Sequence, residues 1–198
     1  IDAPDVGRLA VVSRPDPAYG LPQQMKALRE AGIDTLVSML DPDEAALVGL
    51  AGEAAAATSA SLTFHNLPTG DFGVPPSFEA TELIVAQVIQ DLSGDRAVGV
   101  HCYAGRGRSP LFAAAVLARV GWAPEAAIEA VSAARGRRTP ETDAQRQWII
   151  DFARWYRERG YSLIGRDGSA RASIESVNQT LKQRLRARLL DSGDSIKG

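Results

Sequence analysis

Apolar residues recur along this chain in two periods, and the switches between them predict its layout. Residues 9–13, Leu-Ala-Val-Val-Ser, form a short run of the kind buried in a sheet. Arg14-Pro15-Asp16-Pro17 and Gly20 then predict a loop. Residues 21–31 fit a helix with Met25 and Leu28 on one face and Gly32 as its stop. A second strand is expected over 33–38. Asp41 can cap the next helix, Pro42 fits its first turn, and Asp43 and Glu44 suit the positive end of the helix dipole. That helix is expected to reach about residue 56, weakened by Gly49 and Gly52. Residues 62–67 alternate as a third strand, and a Gly/Pro-rich loop follows over 68–76. Ser77 caps a helix whose apolar positions include Phe78, Leu83, Ile84, Val88 and Leu92. Asp95 and Arg96 turn the chain into a strand over 98–100. Helices are expected over 111–120, 124–134 and 142–159, with a basic turn at 135–140 before the last.

Strands that alternate with helices predict an α/β fold. Its centre is a mostly parallel sheet of about 4–5 strands, with helices on both sides. Residues 1–160 are expected to form one domain that ends at Gly160. Residues 161–198 read as a C-terminal extension. Within it Ile174, Val177, Leu181, Leu185 and Leu189 make a helical stripe opposite Lys182, Arg184, Arg186 and Arg188. The pattern predicts a basic amphipathic helix over about 173–190 that docks on its own domain or on a second subunit. An anionic membrane surface or partner is the alternative.

Composition narrows the function. The chain has 198 residues and a formal net charge of −2, with 45% hydrophobic and 23% charged residues. These values suit one domain with a small appendage and give no general attraction to nucleic acid. No apolar run has the length of a membrane span, so no stable membrane insertion is expected. The single cysteine, Cys102, precludes an internal disulfide. It fits a reducing, cytoplasmic compartment and is a candidate nucleophile. The chain begins at Ile1, so a removed leader stays open.

The chemistry concentrates in residues 98–110. A β-branched run ends in His101-Cys102; Tyr103, Ala104, Gly105, Arg106, Gly107 and Arg108 follow; Ser109-Pro110 opens an Ala-rich helix. A helix N-terminus favours an anion just before it. Gly105 and Gly107 let the loop curl so that its N–H groups face inward as a nest. That environment should favour a thiolate at Cys102, which needs no metal or organic cofactor to act as nucleophile. It would equally hold a phosphate, with the planar Arg108 fork matching two oxygens. Ser109 is placed to donate to the cysteine sulfur, and His101 to fix the loop backbone. Arg106 adds charge at the mouth, while Tyr103 can line the floor or point outward. A general acid is still required for the leaving oxygen. Asp71 is the best candidate, because loops after parallel strands share one sheet edge.

His-Cys, five residues, then Arg-Ser, with an upstream Asp, resembles the cysteine-dependent protein tyrosine phosphatase superfamily, and most closely its bacterial dual-specificity-like members. The similarity covers about residues 8–156. It rests on residues 101–110, on the acid-loop stretch 68–75 and on residues 134–145. The resemblance implies that Cys102 is nucleophile, Asp71 general acid, Arg108 phosphate ligand and Ser109 an aid to thiolate release. It also implies that Gln145 orients the hydrolytic water. Gly70 departs from the family, where Pro commonly precedes the acid, and implies a more mobile acid loop. The expected function is phosphomonoester hydrolysis of phosphotyrosine proteins or peptides, with phosphoserine and phosphothreonine as further substrates. A phosphoinositide or other phospholipid is the alternative substrate, suggested by Arg106. A catalytically silent phosphate-binding module is the alternative of another class.

Overall fold

The computed structural model describes residues 9–163, with side chains for residues 9–159. The described residues hold four strands: β1 (Leu9–Val11), β2 (Thr35–Ser38), β3 (Thr63–Asn66) and β4 (Val98–His101). They hold seven α-helices: α1 (Leu21–Glu30), α2 (Pro42–Leu47), α3 (Glu53–Ser59), α4 (Phe78–Ser93), α5 (Arg108–Arg119), α6 (Pro124–Ala134) and α7 (Asp143–Leu163). The strands run in the order β1-β4-β2-β3, and every pairing is parallel. The fold is thus the expected α/β architecture, at the lower strand count and with a wholly parallel sheet.

Side-chain alternation along the strands divides the core into two layers. Leu9, Val37, Val98 and Val100 face a large cluster built from α4, α5, α6 and α7. Ala10, Val12 and Leu36 face a smaller cluster with Met25 of α1 and Ala57 of α3. Phe78, Trp148, Phe152 and Trp155 form an aromatic group where α4 meets α7. In α5, all residues from Arg108 to Ala118 are buried. This helix is the axis on which α6 and α7 pack.

Several expectations need correction. The single helix to residue 56 is two helices, because Gly49 takes φ 74° and Leu50 turns into the core. Leu83 is not on the apolar face of α4: it is 72% exposed, while Val85 and Ile89 take the buried positions. The helix before Gly121 starts at Arg108, earlier than expected. Gly160 does not end the last helix, which runs on to Leu163. The basic amphipathic helix over 173–190 lies outside the described residues. No helix among the described residues is long and apolar enough to cross a membrane.

Candidate active site

The parallel sheet sends the loops after all four strands to one edge. Cys102 is the first residue beyond β4, and the turn that follows it leads directly into α5. Gly105 adopts φ 67°, a left-handed conformation that reverses the loop. Its N–H then donates to the Cys102 sulfur at 3.3 Å. The sulfur is buried at the end of the central strand, before the first turn of α5. A backbone donor, a helix N-terminus and a guanidinium therefore converge on one anion-sized position.

Arg108 supplies that guanidinium and is only 2% exposed. Glu44 of α2 receives it with both carboxylate oxygens, one from Nη1 and one, at 2.9 Å, from Nη2. The Thr69 carbonyl accepts from Nη1 at 2.8 Å, and Asp71 Oδ1 accepts from Nη2 at 3.1 Å. Four contacts thus occupy the four Nη hydrogens, and among the described residues the Nε–H alone is left without a protein acceptor. Burial pulls the Arg108 pKa down. The Glu44 hydrogen bond and the charges of Cys102, Glu44 and Asp71 outweigh it, so the pKa sits above its ordinary value.

Asp71 reaches Arg108 from the loop after β3. Residues 70–73 close a turn, with the Gly73 N–H on the Gly70 carbonyl at 3.0 Å. Phe72 takes φ 55° within it. A Cβ on Gly73 would lie 2.9 Å from the Gly70 carbonyl oxygen, so this position requires glycine, whereas a Cβ on Gly70 meets nothing within 4 Å. The Asp71 side chain is 55% exposed. Gln145, fully buried at the start of α7, donates to the Gly73 carbonyl at 2.9 Å and accepts from the Thr142 N–H at 3.3 Å. It also packs on Gly107: a Cβ there would come within 2.8 Å of both atoms of the Gln145 amide. Gln145 is therefore a tie between the nucleophile loop, the acid loop and α7.

Other sequence-predicted residues are placed as follows. Ser109 Oγ is buried and has no hydrogen-bond partner, so it does not donate to the Cys102 sulfur as expected. His101 does not brace the loop backbone. Its Nε2 lies 2.8 Å from Glu53 of α3, without hydrogen-bond alignment, and its Nδ1 has no partner. Tyr103 points outward, with the Arg14 guanidinium 4.7 Å above its ring. Ala104 and Arg106 are exposed, and Gly105 and Gly107 are buried. Sequence reasoning missed Glu44, Glu53 and the Thr69 carbonyl as parts of the site. Glu44 carried a signal only as an acid in a helix first turn. Its partner lies 64 residues away, and only the crossover of the sheet brings them together.

A family described as "Polymorphic toxin system, DSP-PTPase phosphatase" matches residues 11–122. The chain belongs to this family. This DSP-PTPase phosphatase is also 26% identical over 164 residues to the protein tyrosine phosphatase PRL-1 of Leishmania major, across 78% of the chain and 86% of the relative. Its fold is similar to that of PTPMT1, with a TM-score of 0.66 at 23% identity over 79% of this chain and 97% of the other. Kinase-associated phosphatase is a second structural neighbour, with a TM-score of 0.64 at 22% identity over 69% and 77% of the two chains. The matched segment 11–122 carries β4, the Cys102 loop, Asp71 and Glu44, so the phosphatase family assignment rests on the part of the chain that forms the site.

Proposed function

We propose that the enzyme hydrolyses phosphotyrosine in proteins or peptides through a cysteinyl-phosphate on Cys102, with phosphoserine and phosphothreonine as further substrates. The observation that carries this reading is the bonding of Arg108. Glu44 and Thr69 hold the guanidinium from behind, while its Nε–H and the Nη2–H now on Asp71 remain for a ligand. A phosphate that takes those two donors side-on displaces Asp71. The acid is thereby released at the moment the substrate arrives. Cys102 attacks phosphorus as the ester P–O bond breaks, and Asp71 gives its proton to the leaving oxygen. The Gly105 N–H and Arg108 stabilise the charge on the equatorial oxygens. Water then attacks the thiophosphate, Asp71 takes its proton, and the Cys102 thiolate departs. Ser109, whose buried hydroxyl has no other partner, is the donor for that departing sulfur once its rotamer turns. The exposed aromatics Tyr103 and Phe72, on the nucleophile and acid loops, suit an aromatic leaving group. A single thiol nucleophile suits a reducing, cytoplasmic setting.

A phosphoinositide is the second reading. It rests on the exposed Arg106 and on the PTPMT1 structure solved with PI(5)P. Cys102→Ser tests the mechanism: it should abolish hydrolysis of p-nitrophenyl phosphate and of a phosphotyrosine peptide. Retained turnover would refute the cysteinyl-phosphate route. A panel of phosphotyrosine peptides against short-chain phosphoinositides decides between the two substrates.

A further inference from the structure

The two edges of the sheet differ. At one, β1 is buried, with Leu9 3% and Ala10 6% exposed. At the other, β3 is open: Thr63 and Asn66 are exposed, and Phe64 and His65 are half-buried. The parallel register with β2 decides which backbone groups of β3 are spent. The Thr63 N–H donates to the Asp34 carbonyl at 3.0 Å, and the Leu67 N–H to the Ser38 carbonyl at 2.9 Å. Odd-numbered residues therefore address β2, and the N–H and C=O of Phe64 and Asn66 point away from the sheet. No hydrogen bond among the described residues reaches these four groups. Unpaired strand edges recruit other strands, and proteins that stay monomeric guard them with charge, proline or a covering element.

The guard of charge is missing here. Residues 54–70 run through α3 and β3 into the acid loop and contain no Asp, Glu, Lys or Arg. At the chain's 23% of charged residues, about four would be expected over that length. The one acid of α3, Glu53, is 3% exposed and turned inward on His101. α3 packs beside β3, and the two elements show Ala55, Thr58, Ser59, Thr63 and Asn66 to solvent. Arg96 touches β3 at Thr63, where it donates to the hydroxyl at 2.9 Å, and is itself paired with Asp91. Depletion of charge marks the centre of protein interfaces.

We propose that β3 pairs antiparallel with the β3 of a second copy of this chain, about a two-fold axis at His65. In that register Phe64 faces Asn66 of the copy and Asn66 faces Phe64, so four hydrogen bonds satisfy all the open groups of both strands. A shift of the axis to residue 64 or 66 breaks this match, because the Leu62 N–H is spent on the Ala57 carbonyl and Pro68 has none. The face is also its own complement in charge. A copy approaches residues 54–70 without like-charge repulsion, whereas a partner selected by charge finds nothing there to read. The product is one continuous eight-stranded sheet. Its halves run in opposite directions, so the two nucleophile loops lie at opposite ends and stay open to substrate.

Sedimentation equilibrium of the full chain should show monomer and dimer in exchange, with a Kd on the order of 10 μM. With Cys102→Ser removing the native thiol, His65→Cys should form an intermolecular disulfide on mild oxidation. Residues opposite each other in a non-hydrogen-bonded antiparallel pair have Cα atoms about 4.5 Å apart, within disulfide reach. Thr63→Cys in the same background should not cross-link, because the register offsets the two copies of residue 63 by about 14 Å. His65→Lys places like charges opposite each other and should weaken the dimer by about tenfold or more, with p-nitrophenyl phosphate turnover unchanged. Equal cross-linking at 63 and 65, or a dimer that His65→Lys leaves intact, would overturn the pairing. So would a chain that is monomeric at roughly 0.5 mM. Hydrogen exchange at Phe64 and Asn66 would then name the true occupant: slow exchange in a monomer means that another part of the same chain covers the edge, and fast exchange leaves it to a strand of another protein.

Discussion

Glu44→Ala isolates the residue that sequence reasoning missed. The substitution removes both carboxylate oxygens from Arg108 and leaves the guanidinium to Thr69 and Asp71. Stripping one partner from a fully buried pair costs about 3–5 kcal/mol. Glu44 keeps 17% of its side chain exposed and Asp71 can take a larger share, so a loss of about 2–3 kcal/mol in unfolding free energy is expected. Activity should fall for a separate reason. The guanidinium is aimed from behind by Glu44, and a misaimed transition-state donor costs on the order of tenfold to hundredfold in kcat/KM. Urea denaturation followed by fluorescence of the three tryptophans reads the first quantity. Steady-state hydrolysis of p-nitrophenyl phosphate reads the second. Glu44→Gln keeps one oxygen acceptor and should fall between wild type and Glu44→Ala in both. Saturating orthovanadate should return part of the lost stability to Glu44→Ala, since the oxyanion supplies the missing charge. A Glu44→Ala protein with wild-type stability and wild-type kcat/KM would refute the claim that this carboxylate holds Arg108.

Asp71→Asn should separate binding from turnover: hydrolysis of alkyl or peptide phosphates falls by about 10²–10⁴. Vanadate binds roughly two- to fivefold tighter, because the exposed ion pair with Arg108 no longer competes. Weaker vanadate binding by calorimetry would contradict the displacement step. Gly73→Ala should force the 70–73 turn apart and reduce kcat with little effect on p-nitrophenyl phosphate KM, whereas Gly70→Ala should be nearly silent; equal effects would contradict the turn geometry. For Asp34, burial pulls the carboxyl pKa up, but the Ala97 N–H, the Arg29 hydrogen bond and the charges of Arg29 and Arg96 win and leave it below the ordinary value. A depressed carboxylate stabilises the fold above its unfolded pKa of about 3.9 and loses that contribution as pH falls through the lower folded value. Asp34→Ala should therefore cost about 1–2 kcal/mol at neutral pH, and thermal melts of the two proteins should converge below about pH 3.9. A gap that stays constant across that range would contradict the assignment.

The nucleophile loop was legible in the sequence because its chemistry is contiguous: sulfur, glycines, guanidinium and hydroxyl all fall within residues 102–109. Asp71 was legible because a parallel sheet must send the loop after β3 to the same edge. The sheet itself followed from short β-branched runs between helical ones. Residues that act through distant partners were not legible. Glu44 reads locally as a favourable first-turn acid; its backbone N–H does donate to the Asp41 cap at 2.8 Å, but its carboxylate grips Arg108. Glu53 reads as an ordinary helix-start acid, yet it is buried against His101. Leu83 was misassigned because a 16-residue apolar helix offers more than one plausible stripe, and only the neighbours of α4 choose between them. The break between α2 and α3 was half legible: both glycines were visible weaknesses, but only the packing of Leu50 turns weakness into a break.

The burial of α5 bears on how such a protein can change over evolutionary time. Its first eleven residues are enclosed on all sides, and two of them are Arg108 and Ser109. A substitution there disturbs the packing of α6 and α7 as well as the chemistry, so the helix is nearly closed to variation. The loops after β1 and β3 carry surface positions without that double duty. Arg14 comes from the first and Phe72, 61% exposed, from the second, and each can drift without unseating the core. New substrate preferences in this lineage should accordingly be written around the rim, against a fixed axle.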